Sequence, residues 1–208
     1  MEEGAKRRCL ILVLDWAEKA VLTGLFVALL LQMIPNLGRA PLSAVFLAPN
    51  ALVAGLVLTR RRARAVSLNP LDWLIALAAS AAPLLLATTT AKALGSIWVA
   101  EGVMLAGMVI SMTATLALWR SFGILPANRG IKRTGPYRIV RHPMYAGYML
   151  WQLGFVLSHP GWANGFCFLA ALGLQLWRID REDRLLKIDP DYASYMRSVR
   201  YRLVPSVY

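Results

Sequence analysis

The sequence is poor in charged residues and in cysteine. Asp, Glu, Lys and Arg make up 16 % of its 208 residues, against about 25 % in an average soluble domain. Its two cysteines, Cys9 and Cys167, are too few and too far apart to predict a zinc site or a disulfide framework. Hydrophobic residues reach 58 % and occur in long runs, and runs of about 20 residues have the length that crosses a bilayer. The composition therefore excludes most soluble classes and predicts an integral membrane protein.

Acidic residues are also scarce, with 11 Asp and Glu against 23 Lys and Arg, which gives a formal net charge of +12. An excess of this kind is also found in nucleic-acid-binding proteins, but its placement here argues for another explanation. Twenty of the 23 cations fall in four clusters outside the apolar runs, at residues 6–8, 60–64, 120–141 and 178–202. The positive-inside rule assigns such clusters to cytoplasmic loops. We therefore expect membrane lipids as partners, and no nucleic acid.

Four long apolar runs and one shorter pair predict about six membrane helices. The long runs cover residues 10–34, 41–59, 71–90 and 94–119, and the pair covers residues 143–157 and 162–177. Asn69 and Pro70 supply a cap and a first-turn proline for the third run. We predict an all-α, polytopic membrane bundle of four spans and a C-terminal helical hairpin. Both termini are expected in the cytoplasm, and the inner (plasma) membrane is the expected location.

Two polar segments remain once the apolar runs are assigned. The loop at 120–141 is longer than a simple connection requires, which favours a functional role. The tail begins at Arg178, and its Asp189-Pro190 pair predicts a short interfacial helix with an apolar face formed by Tyr192, Tyr195, Met196 and Val199. The hairpin between the two segments brings their ends together on the cytoplasmic side. We therefore predict a four-span block at 1–119 and a functional core at 120–208.

The loop ends in Arg141-His142-Pro143, and this proline predicts that a helix begins there. Unpaired backbone N–H groups at a helix start bind carboxylates or phosphates. Tyr145 and Gly147 follow within the first turns of this helix. The Tyr145 ring could stack on a planar ligand, and Gly147, which has no side chain, could leave space for it. The alternative interpretation is a basic interfacial anchor that holds the helix end at the lipid headgroups.

The second polar segment opens with Arg178 and Glu182, which share a helix face because they are four residues apart. A carboxylate at this place suits ribose hydroxyls or an ammonium group, and an arginine suits a carboxylate or a phosphate. The alternative is a solvated helix of alternating charge, held by weak exposed ion pairs.

Together these two segments resemble the isoprenylcysteine carboxyl methyltransferase family and, more distantly, the membrane phospholipid methyltransferases. The resemblance covers about residues 121–205 and rests on two motifs separated by a hydrophobic hairpin. The motifs are Gly135-Pro136-Tyr137-x-x-x-Arg141-His142-Pro143-x-Tyr145-x-Gly147 and Arg178-x-x-x-Glu182-Asp183-x-x-Leu186, with a tyrosine-rich tail that closes on Pro205. The family usually has two glutamates where this chain has Glu182-Asp183.

The resemblance implies an integral membrane enzyme that uses S-adenosylmethionine from the cytoplasm and no metal. It favours carboxyl O-methylation of a prenylcysteine-like, lipophilic or lipidated substrate. It implies that Glu182 contacts the cofactor and that Arg178 holds the methyl-accepting substrate, and these two are the expected catalytic residues. The expected cofactor-binding residues, of which the first four close over the pocket, are Arg129, Gly130, Ile131, Lys132, Tyr137, His142, Pro143, Met144 and Tyr145.

Three other functions stay open on the sequence. Within the enzyme class, the acceptor could be a phospholipid amine or a small thiol. Outside it, the chain could be a transporter or a membrane scaffold. A transporter predicts broken helices in two related halves, and the sequence contains no internal repeat. A scaffold gives no reason for His142 and Glu182.

Overall fold

The computed structural model describes residues 2–33 and 43–208, which are mostly helical. The prediction of a helical fold is thereby confirmed. The helices are α1 (Glu2–Met33), α2 (Ser43–Thr59), α3 (Pro70–Ala81), α4 (Ile97–Leu118), α5 (Pro143–Ser158), α6 (Trp162–Leu186) and α7 (Pro190–Ser198). Two short strands, β1 (Ala65–Val66) and β2 (Ala127–Asn128), pair antiparallel with Ala65 opposite Asn128.

The chain forms two compact units. The first comprises Met1–Val66, Leu118–Gly123 and Ala127–Gly130, and the second comprises Ser67–Ala117, Ile124–Pro126 and Ile131–Tyr208. These units do not follow the expected boundary between residues 119 and 120. The division into a four-span block and a functional core stays a prediction about function.

In the first unit, α1 packs against α2, and four charged side chains are buried together. Arg129 Nη2 lies 2.8 Å from Asp15 Oδ1 and 2.6 Å from Glu18 Oε2. Arg60 reaches the same two acids at 3.1 Å and 3.0 Å. Two acids against two arginines leave the cluster formally neutral, which reduces the cost of burying the charges.

In the second unit, α3 packs against α6, and α5 packs against α6. The start of α3 confirms the predicted cap, because the Asn69 side chain accepts the N–H of Leu71 at 3.0 Å. Helices α4 and α5 approach closely where Gly147 meets the backbone of Ser111. This close approach fixes the depth at which α5 starts, and the predicted functional residues cluster around that start.

Two helices differ in length from the predicted runs. The helix predicted at 71–90 ends at Ala81 and passes into a 3-10 turn through Leu85, because Pro83 has no N–H to continue the hydrogen-bond ladder. The helix predicted at 162–177 instead continues to Leu186, and an ion pair of 2.8 Å between Asp180 and Arg184 supports the added turns.

The predicted number of spans is not confirmed. Among the described residues, one helical segment, Ile97–Ser121, is long and apolar enough to cross a membrane by length and composition. The predicted end of the first run at residue 34 and the predicted start of the second at residue 41 lie outside the described residues.

Candidate active site

The start of α5 is held by the C-terminal segment of the chain. His142 occupies the N-cap position and Pro143 the first helical position, as the sequence predicts. The backbone N–H groups of Arg141 and His142 donate to the carbonyls of Tyr201 and Arg202, at 2.9 and 2.8 Å. The His142 side chain makes no capping hydrogen bond, so the N–H groups of the first turn are left for another acceptor.

The His142 ring instead binds Asp183, on the polar end of α6 beyond its apolar stretch. His142 Nε2 lies 2.8 Å from Asp183 Oδ1. The Tyr192 hydroxyl donates to the same oxygen. Arg141 Nη2 and Arg202 Nε donate to Asp183 Oδ2 at 3.2 and 2.9 Å. One buried carboxylate, 3 % exposed, thus collects four donors from three parts of the chain.

These contacts fix the protonation of the cluster. Burial raises the pKa of Asp183, but hydrogen bonds from His142 and Tyr192 and the charge of Arg141 outweigh burial and hold this pKa below its usual value. An ionised carboxylate can only accept hydrogen bonds, so Nε2 of His142 carries a hydrogen and donates it to Asp183. Burial and the nearby Asp183 carboxylate raise the pKa of Tyr192, which therefore stays a hydrogen-bond donor.

Tyr145 connects three of the residues selected from the sequence. Its hydroxyl donates to Glu182 Oε2 at 2.7 Å. Its ring stacks with that of His142 at a centroid distance of 5.6 Å and an interplanar angle of 12°. The Arg178 guanidinium carbon lies 4.8 Å from the centre of the same ring, within the range of a cation–π interaction.

Arg178 is buried and incompletely bonded. Its Nη2 donates to the carbonyl of Ile124, and its Nη1 lies 3.4 Å from Ser80 Oγ. Its Nε is buried without a hydrogen-bond partner, as is Oε1 of Gln175, one turn earlier on α6. A buried polar group without a partner costs about 1–3 kcal/mol. A polar ligand beside this face of α6 would remove that cost.

The remaining residues predicted for the second unit lie close to this cluster. Tyr137, Pro143 and Met144 are buried, and burial together with nearby Tyr145 and Glu182 raises the pKa of Tyr137. The Tyr137 carbonyl accepts a hydrogen bond of 2.6 Å from the hydroxyl of Tyr195.

The contacts of α7 correct one prediction. The Asp189-Pro190 pair does start this helix, with the Asp189 side chain accepting the N–H of Asp191. However, Tyr192 and Tyr195 are buried in the protein. The expected interfacial face therefore packs against the site, because Asp183 and the Tyr137 carbonyl provide acceptors for both hydroxyls.

The four residues expected to close over the pocket divide between the two units. Arg129 and Gly130 belong to the first unit, where Arg129 is bonded to Asp15 and Glu18. Ile131 and Lys132 belong to the second unit and are half-buried. Their part in cofactor binding stays a prediction.

Sequence reasoning missed the residues that surround Asp183. Arg141, Tyr192 and Arg202 are not among the site residues that the sequence predicts, and Asp183 stands out there only as a departure from a usual glutamate. One signal was available, because adjacent residues on a helix point about 100° apart. Two acids side by side therefore predict two different environments.

Known proteins provide a further comparison. A family model described as phospholipid methyltransferase matches residues 74–188, more than half of the chain. Four chains of known structure match. One is a eukaryotic intramembrane Ras methyltransferase, ICMT (isoprenylcysteine carboxyl methyltransferase), with 18 % sequence identity and a TM-score of 0.47, covering 93 % of this chain and 77 % of that chain. A search of curated proteins gave no match.

Proposed function

The chain belongs to the phospholipid methyltransferase family, and on this premise we propose that it transfers a methyl group from S-adenosylmethionine to a carboxylate on a membrane-associated acceptor. Membership of this family indicates an integral membrane methyltransferase. Of the two families that the sequence resembles, this is the one with the more distant resemblance. The choice of a carboxylate and the assignment of individual residues are the proposed part.

The residues around Tyr145 have the chemistry that this cofactor requires. The carboxylate of S-adenosylmethionine suits the uncapped first turn of α5. The ammonium group or the ribose hydroxyls of the same cofactor suit the Glu182 carboxylate. The buried residues Tyr137, Pro143 and Met144 supply apolar and aromatic surface for its base. When bound, the cofactor supplies a methyl group that the sulfonium charge already activates.

The observation that carries the choice of acceptor is the buried, partnerless Nε of Arg178. The other described arginines with a buried, partnerless Nε each pair with an Asp or Glu through another nitrogen. A carboxylate would satisfy this donor, and the guanidinium that would hold it lies over the Tyr145 ring, whose hydroxyl is bonded to Glu182. A carboxylate also has no proton to lose, so the protein needs only to align it and exclude water. Alignment of this kind can lower a barrier by several kcal/mol, up to about 7–11 kcal/mol in well-oriented systems.

A phospholipid amine is the second candidate, favoured by the family description. Arg178 would then hold the lipid phosphate, since a guanidinium pairs with phosphate as well as with carboxylate. An amine must lose a proton, and His142 and Glu182 are the groups of the site that can accept one. A thiol acceptor would make the same demand.

The membrane arrangement follows the same reasoning. The basic clusters at 120–141 and 178–202 support a cytoplasmic site and cytoplasmic termini. We retain six membrane helices in the inner membrane as the expected topology. A lipophilic or lipidated acceptor would enter from the bilayer, while the polar cofactor enters from the cytoplasm.

Calorimetry with S-adenosylhomocysteine, in detergent and in lipid nanodiscs, tests cofactor binding. We expect Glu182→Gln to weaken binding at least about tenfold, or about 1.4 kcal/mol. Arg184→Lys is the matched control, since this α6 side chain is 70 % exposed and pairs with Asp180. If folded wild-type protein binds S-adenosylhomocysteine neither in detergent nor in nanodiscs, the proposal that the chain is a methyltransferase is refuted.

Transfer of a labelled methyl group then identifies the acceptor. Prenylcysteine carboxylates and phosphatidylethanolamine are offered separately, and base treatment releases the label from a methyl ester but not from a methylamine. Arg178→Lys should lower transfer while leaving S-adenosylhomocysteine affinity unchanged. A base-stable product on phosphatidylethanolamine would replace the carboxylate with the amine.

A further inference from the structure

The adjacent acids Glu182 and Asp183 contact different groups. Glu182 accepts from Tyr145, on the side where Arg178 has its partnerless Nε. Asp183 contacts His142, Arg141, Tyr192 and Arg202. The acid pair is therefore divided between a side that faces the proposed ligands and a side that faces the rest of the chain.

Asp183 and Arg141 together bind the C-terminal segment to the start of α5. Arg141 Nη1 donates to the carbonyls of Val199 and Arg200, at 3.1 and 2.8 Å, while its Nη2 pairs with Asp183. Arg202 pairs with Asp183 through its Nε, and its carbonyl accepts the N–H of His142. Every one of these contacts lies within the second unit.

We propose that Asp183 is a positioning residue for the cofactor site, resting on the proposed function. It holds the Nε2–H of His142, and so keeps that ring stacked on Tyr145, and it holds segment 199–202 across the start of α5. Through these two contacts it fixes the placement of Tyr145 and of the first-turn N–H groups. Glu182 contacts ligand, whereas Asp183 acts through His142 and the C-terminal segment.

The site requires a charge at position 183. Four donors converge on the two carboxylate oxygens, and two of them belong to arginines. An asparagine would present one acceptor oxygen and one N–H₂ group, and the latter would face a donor without an acceptor. A glutamate at position 183 keeps the charge but adds a methylene group at a buried position. The four groups that donate hydrogen bonds to this carboxylate must then move.

A double-mutant cycle tests the inference with Asp183→Asn, His142→Ala and the double variant. S-adenosylhomocysteine affinity is measured by calorimetry, and trypsin cleavage after Arg200 and Arg202 reports release of the C-terminal segment. The matched control is Asp180→Asn, which removes another α6 carboxylate that lies 3.6 Å from Arg202 but leaves His142 untouched.

We expect Asp183→Asn to weaken binding at least about tenfold, or about 1.4 kcal/mol, and to speed cleavage by trypsin. The double variant should lose less affinity than the sum of the two single losses, because Asp183 acts in part through His142 and residues that act through one another give non-additive effects. Asp180→Asn should match the wild type in both assays. Asp183→Glu takes the place of Asp183→Asn if the latter does not fold, and it should then bind S-adenosylhomocysteine more weakly than the wild type.

Additive losses in the double variant would overturn the inference, since Asp183 would then act independently of His142. Unchanged affinity or unchanged cleavage in Asp183→Asn would overturn it as well. Failure of the wild-type protein to bind S-adenosylhomocysteine would instead refute the proposed function. The positioning of the C-terminal segment would then be decided by trypsin alone, because that assay needs no cofactor.

Discussion

Replacing Gly147 by alanine should separate α4 from α5. A Cβ at this position would lie 2.5 Å from Ser111 N, 2.7 Å from the carbonyl oxygen of Gly107 and 2.8 Å from Ser111 Cα. All three are backbone atoms, so no side-chain rotation relieves the overlap. Ordinary van der Waals contact begins near 3.4 Å, and the helices must therefore move apart by most of an ångström.

The cost can be isolated with a second glycine-to-alanine change. Alanine in a helix is about 0.8–1.0 kcal/mol more favourable than glycine, and this gain is common to Gly147→Ala and to Gly173→Ala on α6, where nothing lies within 4 Å of the added Cβ. The difference between the two variants is therefore the overlap alone, about 1–3 kcal/mol.

Thermal unfolding in detergent measures that difference. One kcal/mol corresponds to about 2–4 °C for a chain of 150–250 residues, so Gly147→Ala should unfold about 2–12 °C below Gly173→Ala. It should also weaken S-adenosylhomocysteine binding, because Tyr145 lies two residues away on the displaced helix. Equal stability of the two variants would refute the close approach of α4 and α5.

Two further predictions concern stability. Asn69→Ala should lower the free energy of unfolding by about 0.5–2 kcal/mol and Asn69→Gly by only a few tenths, as denaturant titration would show; equal losses would argue against a cap. Asp183 has a lowered pKa in the folded state, so its contribution is present above its unfolded value of 3.8 and is lost as the pH falls through the lower folded value. The stability difference between wild type and Asp183→Asn should therefore shrink as the pH falls below about 4, and a difference that stays the same down to pH 2 would contradict this assignment.

Local signals in the sequence predicted the helix starts well. Asn69-Pro70, His142-Pro143 and Asp189-Pro190 each precede a helix that begins at the proline. In each case the information lies within two residues, because proline is tolerated at the first helical position. The side chains of Asn69 and Asp189 also cap their helices, whereas that of His142 does not.

Long-range contacts could not be obtained from the same signals. Asp183 and His142 are 41 residues apart, and nothing in either local sequence records their hydrogen bond. The periodicity of Tyr192 and Tyr195 correctly gave a helical face, but hydrophobic spacing is the same whether a face meets lipid or protein. Only the acceptors that lie opposite, Asp183 and the Tyr137 carbonyl, decide which of the two it is.

The residues of the site were predictable in part, unlike the helix starts, which were predictable, and the long-range contacts, which were not. Arg178 and Glu182 were predicted to share a face of a helix, and they do lie on one face of α6 beside Tyr145. The predicted helix start at Pro143 is confirmed, and anion binding there stays a prediction. The partners of Arg129 were not predictable, because its bonds to Asp15 and Glu18 span more than 100 residues.

The contact of α4 with α5 at Gly147 also fixes the positions of the two helix ends relative to each other, and these positions can be compared with the thickness of a bilayer. Helix α4 has 22 residues and α5 has 16, which gives lengths of about 33 and 24 Å. Gly147 lies against Ser111 and Gly154 against Met104, so each end of α5 stops about 5 Å short of the corresponding end of α4. In the proposed topology of six membrane helices, a bilayer that matches α4 is too thick for α5. Either the lipid beside the hairpin then thins or the hairpin tilts, at a fraction of a kcal/mol per ångström of mismatch. That topology therefore couples the acyl-chain length of the surrounding lipid to the depth of the site in the bilayer.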